Sequence, residues 1–274
     1  MTRALVLGGG GMTGIAWEFG ILGGLARAGV TVADADTIVG TSAGSVVGTV
    51  LAAGHDLVEA VAYQRVVAIA AGPAVDVTPA LPAFALLADR SITRSEAMAR
   101  IGKMALAAET LDEQTHVDRI AAQLPVTEWP DGDLRITAVD TADGAPAVFS
   151  RADGVPLPLA VAASCAVPCV FPPVTIDGRR FMDGGVRSGT NANLATGATA
   201  ILVIAPMGAL ARPLIEREIA ATGATRSLLI EPDEAAAEAI GPNVLDPSRR
   251  GIAVDAGLRQ GEAMAAAVRA IWAP

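Results

Sequence analysis

Thr37-Ile38-Val39-Gly40-Thr41-Ser42-Ala43-Gly44 is the stretch that decides the fold. Residues 37–39 are an uninterrupted apolar, β-branched run, the pattern of a strand buried on both faces. The run passes directly into Gly-Thr-Ser-Ala-Gly, and a helix follows over about 43–53, ended by Gly54. A serine between such a strand and such a helix sits on a sharp turn that lifts its hydroxyl out of the sheet. The glycines two residues either side, Gly40 and Gly44, are needed because larger side chains would crowd that turn. The helix beginning just after Ser42 adds a positive dipole end where negative charge would develop.

Working outward, residues 3–8 form another short buried strand, followed by glycines at 8–11 and 14. Ile15, Phe19, Leu22 and Leu25 then recur on one helical face over 15–28, with Gly29 as the stop. The first 54 residues thus alternate strand and helix, which implies a parallel sheet with helices against it, an α/β fold. Ligands of open α/β sheets bind at the carboxyl ends of the strands. Further helices are expected over 56–70, 80–89, 94–108, 113–124, 157–164 and 251–272. Further strands are expected over 134–140, 146–150, 170–176 and 200–205. Core packing is expected for most of the apolar patch Leu81, Phe84, Leu86 and Leu87, with a lid or acyl-chain wall as the alternative. No linker or repeat interrupts the chain, so one domain over residues 1–274 is expected.

Composition removes several classes. Hydrophobic residues make up 52% and charged residues 18% of the 274 residues, which excludes an intrinsically disordered chain. The net charge of −9 argues against a nucleic-acid partner and against electrostatic attraction to an anionic membrane, so any lipid contact has to be apolar. Residues 37–55 and 154–176 are uncharged enough to consider as membrane spans. Three glycines break the first and five prolines the second, so both read as buried segments of a globular protein. The only two cysteines, Cys165 and Cys169, make neither a disulfide framework nor a metal site and read as small buried hydrophobes. No metal and no cofactor is expected. Residues 1–17 lack the pattern of a signal peptide, which gives the expectation of a cytoplasmic protein, with transient membrane-surface contact allowed.

Two features carry chemistry beside Ser42. Gly9-Gly10-Gly11-Met12-Thr13-Gly14 follows the first strand, and a glycine turn there leaves backbone N–H groups free to meet an anion, such as the oxyanion of acyl transfer. The same residues match G-x-G-x-x-G, the dinucleotide fingerprint. That alternative needs an acidic residue at the end of the second strand, whereas Asp34 and Asp36 precede it. Two histidines are present. His55 lies thirteen residues past Ser42, roughly 20 Å along a helix. His116 reads as solvated on a surface helix. A Ser-His-Asp triad is therefore poorly supported. Asp183, followed by Gly184-Gly185, is the best candidate base, although a structural turn explains the local pattern nearly as well.

Taken in order, these blocks resemble the patatin-like phospholipase family. Gly9–Gly14 resembles its oxyanion loop, and Gly40–Gly44 its nucleophile elbow. Ala163-Ser164-Cys165-Ala166-Val167-Pro168 with Phe171-Pro172-Pro173 resembles the block that precedes its catalytic aspartate, and Asp183-Gly184-Gly185 its D-G-G/A motif. The resemblance implies a three-layer α/β/α fold with a mostly parallel central sheet. It implies hydrolysis of lipid acyl esters by a Ser42–Asp183 dyad without histidine. Gly9, Gly10, Gly11 and Met12 would lie in the oxyanion loop, with Gly14, Gly40, Gly44, Gly184 and Gly185 as elbow and loop support. One departure stands out: Thr13 occupies the position where the family usually carries a basic residue, which weakens the expectation of a phospholipid substrate and strengthens that of a neutral acyl ester. The alternatives are a catalytically idle lipid-binding or regulatory protein on the same fold and a dinucleotide-binding oxidoreductase.

Overall fold

The computed structural model describes residues 1–69 and 72–273. In chain order the elements are β1 (Arg3–Leu7), α1 (Gly11–Arg27), β2 (Thr37–Thr41), α2 (Ala43–Ala52), α3 (Leu57–Ile69), α4 (Leu81–Leu86), α5 (Arg94–Ala107), α6 (Glu113–Ala121), β3 (Asp133–Asp140), β4 (Pro146–Phe149), α7 (Leu157–Ser164), β5 (Val174–Ile176), β6 (Arg179–Asp183), β7 (Ala200–Ile204), α8 (Gly208–Ala221), β8 (Arg226–Ile230), α9 (Glu234–Ile240) and α10 (Arg250–Trp272).

The strands form one sheet in the order β5-β6-β3-β2-β1-β7-β8, with β4 also paired to β3. The run β3-β2-β1-β7-β8 is parallel throughout. The β3-β4, β3-β6 and β5-β6 pairings are antiparallel, so the sheet is mixed, with its parallel part at the centre. β1 shows why its sequence is apolar without alternation. Leu5 and Leu7 face a large core with α1, α2 and α10, whereas Ala4 and Val6 face a second core with Ile215 of α8. Helices therefore cover the central sheet on both faces, as the family resemblance implied.

The longest helix, α10, lies against α1 with backbone nearly touching backbone. A methyl on Gly24 would stand 2.2 Å from Leu258 O, and one on Gly257 would stand 2.4 Å from Trp17 O. Glycine at these positions lets the two helices pack close and fixes α1 over the sheet.

Several expectations need correction. The first helix begins at Gly11, not residue 15, so Gly11 and Gly14 of the glycine cluster are helical. The strand expected over 170–176 contains only Val174–Ile176, because Pro172 and Pro173 cannot donate to a ladder. The helix expected over 80–89 holds only Leu81–Leu86. Leu86 and Leu87 pack on the core as expected, but Leu81 and Phe84 are exposed. Residue 70, the expected end of the 56–70 helix, lies outside the described residues. Among the described residues no helix is long and apolar enough to cross a membrane.

Candidate active site

β1 and β2 end side by side, with Leu7 paired to Gly40, so the glycine loop and the Ser42 turn leave the sheet together at its carboxyl end. Ser42 has φ 52° and ψ −116°, a left-handed conformation that costs a non-glycine residue strain. The surroundings enforce it. A methyl on Gly44 would lie 2.1 Å from Leu7 O, and one on Gly40 would lie 2.6 Å from Gly44 O. Only glycine at both positions lets α2 start this close to the sheet. The Ser42 N–H donates to Ser164 Oγ at 2.8 Å, and Cys165 Sγ donates to Ser42 O at 3.4 Å. The end of α7 therefore clamps the turn.

Asp183 is the last residue of β6 and is 5% exposed. Its Oδ1 accepts the Gly185 N–H at 2.7 Å, and its own N–H donates to Ala166 O at 3.0 Å. Burial pushes its carboxyl up to about 6, opposed by the nearby Ser42 hydroxyl and by the Gly185 N–H. Gly184 is required because a methyl there would stand 2.3 Å from Thr137 Oγ1. Ser42 and Asp183, 141 positions apart in the chain, are thus brought together at the carboxyl end of the sheet.

The glycine loop packs directly on Ser42: a methyl on Gly9 would lie 3.5 Å from Ser42 Cβ. Its four expected donors are not equivalent. The Gly9 N–H is consumed by Gly189 O at 2.8 Å, so Gly9 shapes the loop and does not donate. The N–H groups of Gly10, Gly11 and Met12 have no partner among the described residues, as expected for the start of α1. Gly11 takes φ +60°, which sets that first turn. Gly14 lets α1 pass Pro206 and Ala43 closely.

Thr13 is fully buried, and its N–H donates to Val244 O at 3.1 Å. Where the family carries a basic side chain, this protein therefore seats a C-terminal segment on α1. The sequence missed two further contributors. Asn191, left-handed at φ 52°, ties Thr41 to the loop after Asp183. Ser164 was visible only as part of the Ala-Ser-Cys block.

The histidines divide. His55 Nε2 faces Glu59 at 3.7 Å. His116 is buried, not solvated: Nε2 meets Ala162 O at 3.0 Å, and the ring stacks on Phe171 with centroids 5.0 Å apart. Burial lowers its pKa and keeps the ring neutral. The helical face bearing Val117 and Ile120 carries it inward against α7. Cys169 is buried as expected. Cys165 is half-buried, and its thiol is pushed up to about 12 by burial beside Asp183. No metal-binding cluster occurs among the described residues. Asp34 and Asp36, which a dinucleotide site would need, lie at the opposite end of the sheet. There Asp36 accepts the Arg3 N–H at 2.7 Å and Asp34 accepts Trp272 Nε1 at 3.0 Å.

The model of the patatin-like phospholipase family matches residues 5–196, and the chain belongs to that family. This membership supports lipid acyl hydrolase activity in general. Two solved structures are similar at low identity. VipD from Legionella pneumophila is 13% identical with a TM-score of 0.47, over 97% of this chain and 67% of that one. The type III effector protein ExoU is 17% identical with a TM-score of 0.39, over 95% of this chain and 53% of that one. No curated protein matches the sequence.

Proposed function

We propose that the protein hydrolyses acyl esters of lipids with Ser42 as nucleophile and Asp183 as base, without histidine, metal or organic cofactor. The observation that carries this is the placement of the strained Ser42 hydroxyl beside a buried carboxyl whose pKa is about 6. A carboxylate titrating there is ionised at neutral pH and still basic enough to share the serine proton. Asp183 takes that proton as Ser42 Oγ attacks the ester carbonyl. The N–H groups of Gly10, Gly11 and Met12 are unspent and adjacent, and they receive the oxyanion. The N–H of Ala43, the residue after the nucleophile, also has no partner among the described residues and adds a donor of the kind such elbows use. The alcohol leaves with the proton. Water, deprotonated by Asp183, then releases the fatty acid from the acyl-enzyme.

Thr13 favours a neutral acyl ester over one with a phosphate head group. Its N–H is spent on Val244 O, and its side chain brings no cation to the loop. Turnover of a p-nitrophenyl ester series from short to long chains tests the proposal, with Ser42→Ala and Asp183→Asn alongside the wild type. Turnover by the wild type alone is the expected result. Undiminished turnover by either variant overturns the dyad.

A further inference from the structure

A cavity of about 330 Å³ opens on the flank of α2, and neither Ser42, Asp183 nor any residue of the glycine loop lines it. Val46 and Val50 line it one and two turns along α2 from Ser42, roughly 6 and 12 Å up the axis. Phe19 and Leu124 add to an apolar wall. Into this wall is set Arg250, 6% exposed, in the first turn of α10.

Arg250 is an unusual residue to bury there. Its Nε and Nη2 both donate to Gln64 Oε1, at 2.9 and 2.6 Å. A guanidinium has five N–H donors, so one neutral acceptor leaves the others to solvent or to a ligand in the cavity. Among the described residues no carboxylate pairs with it, and burial lowers its pKa. A helix N-terminus is itself electropositive, and the first turn of α10 holds no acidic side chain. The only carboxylate in the cavity wall among the described residues, Glu59, has a 71% exposed side chain and faces His55 instead. A buried cation at the positive end of a helix, facing an apolar cavity, is costly without an anion.

We propose that this cavity binds a medium-length fatty carboxylate, with Arg250 holding the carboxylate through charge-assisted hydrogen bonds and the chain lying along α1 and α2. At about 30 Å³ per water-sized group, the volume admits roughly eleven non-hydrogen atoms, the size of octanoate. The same chemical class is the acid that ester hydrolysis would release, which places a product-binding site on the helix that follows Ser42. The cavity does not depend on Ser42 being a nucleophile. Octanoate binding by a chain that hydrolyses no ester leaves this proposal standing and removes only the proposed function.

The test is calorimetric titration of the wild type with octanoate, octanol, octyltrimethylammonium and acetate, with Arg250→Gln and Arg250→Lys alongside. Octanoate should bind at least tenfold more tightly than the other three, Arg250→Gln should lose at least tenfold, and Arg250→Lys should recover part of the loss. A diazirine-bearing octanoate analogue should crosslink within residues 15–19, 46–64 or 122–125. Equal binding of octanol, unchanged affinity in Arg250→Gln, or crosslinks confined to 40–44 and 183–191 would each overturn the site. If Arg250→Gln does not fold, the four-ligand series and the crosslink map on the wild type decide.

Discussion

Asn191 Nδ2 donates to Thr41 Oγ1 at 3.0 Å, linking the loop that follows Asp183 to the residue that precedes Ser42. The same amide lies 3.2 Å from Thr137 Oγ1, 3.4 Å from Gly184 O and 2.9 Å from Ser188 O. One buried side chain therefore holds both halves of the proposed dyad in register. Replacing Asn191 by Ala removes these bonds, while the Thr41 and Thr137 hydroxyls keep each other at 2.9 Å, at a cost of about 1–3 kcal/mol. The expected result is a lower melting temperature together with a fall in kcat that exceeds any change in KM. Unchanged kcat in the folded variant would mean that the link has no part in positioning.

Gly40 sits where no side chain fits, 2.6 Å from Gly44 O measured to an added methyl. Gly40→Ala should force the turn apart, cost about 1–3 kcal/mol or more, and abolish ester turnover even where the protein folds. Melting curves and turnover on the same preparation check this.

The Asp183 carboxyl titrates at about 6 in the folded protein, above its ordinary value of 3.8. As a base it must be ionised, so kcat/KM should fall about tenfold per pH unit below 6 and level off above it. Stability runs the other way. A carboxyl whose pKa is raised by folding is most favourable to the fold below its unfolded pKa. That advantage is lost as pH rises through the folded value. Asp183→Asn should therefore stabilise the protein at pH 8 by up to about 3 kcal/mol relative to its effect at pH 4, while removing activity. Melting temperatures of both proteins at the two pH values check the sign.

Neither histidine should matter to chemistry. His55→Gln should leave kcat/KM and stability nearly unchanged, since its one charged neighbour is an exposed glutamate. His116→Ala should cost about 1–3 kcal/mol through the lost Ala162 hydrogen bond and Phe171 stack, yet keep turnover within about tenfold. A loss of about 10⁴ in either folded variant would restore a triad.

The parts legible in the sequence were those with short-range causes. The apolar runs of β1, β2, β3 and β7, the turn at Ser42 and the helix after it follow from periodicity and glycine placement. β6 and β8 were not legible, because Arg179 and Arg226 begin runs that alternate too little to stand out. α8 carries Pro213 inside it, and α9 has only seven residues. Local pattern singled out Ser42 and Asp183 separately and only the family resemblance paired them; their proximity rests on β6 pairing antiparallel to β3, with Asp183 opposite Ala138. His116 was misplaced because its polar neighbours Gln114 and Thr115 hid the face it shares with Val117 and Ile120. The loss of Gly9 as a donor depends on Gly189, 180 residues away in sequence, and no local pattern shows it.

The most direct measurement of the central claim is labelling by a long-chain fluorophosphonate, followed by intact mass and peptide mapping. One label per chain on Ser42 is expected, with none in Ser42→Ala and a rate in Asp183→Asn at least a hundredfold slower. Labelling at another residue, or at full rate in Asp183→Asn, would contradict a Ser42–Asp183 dyad.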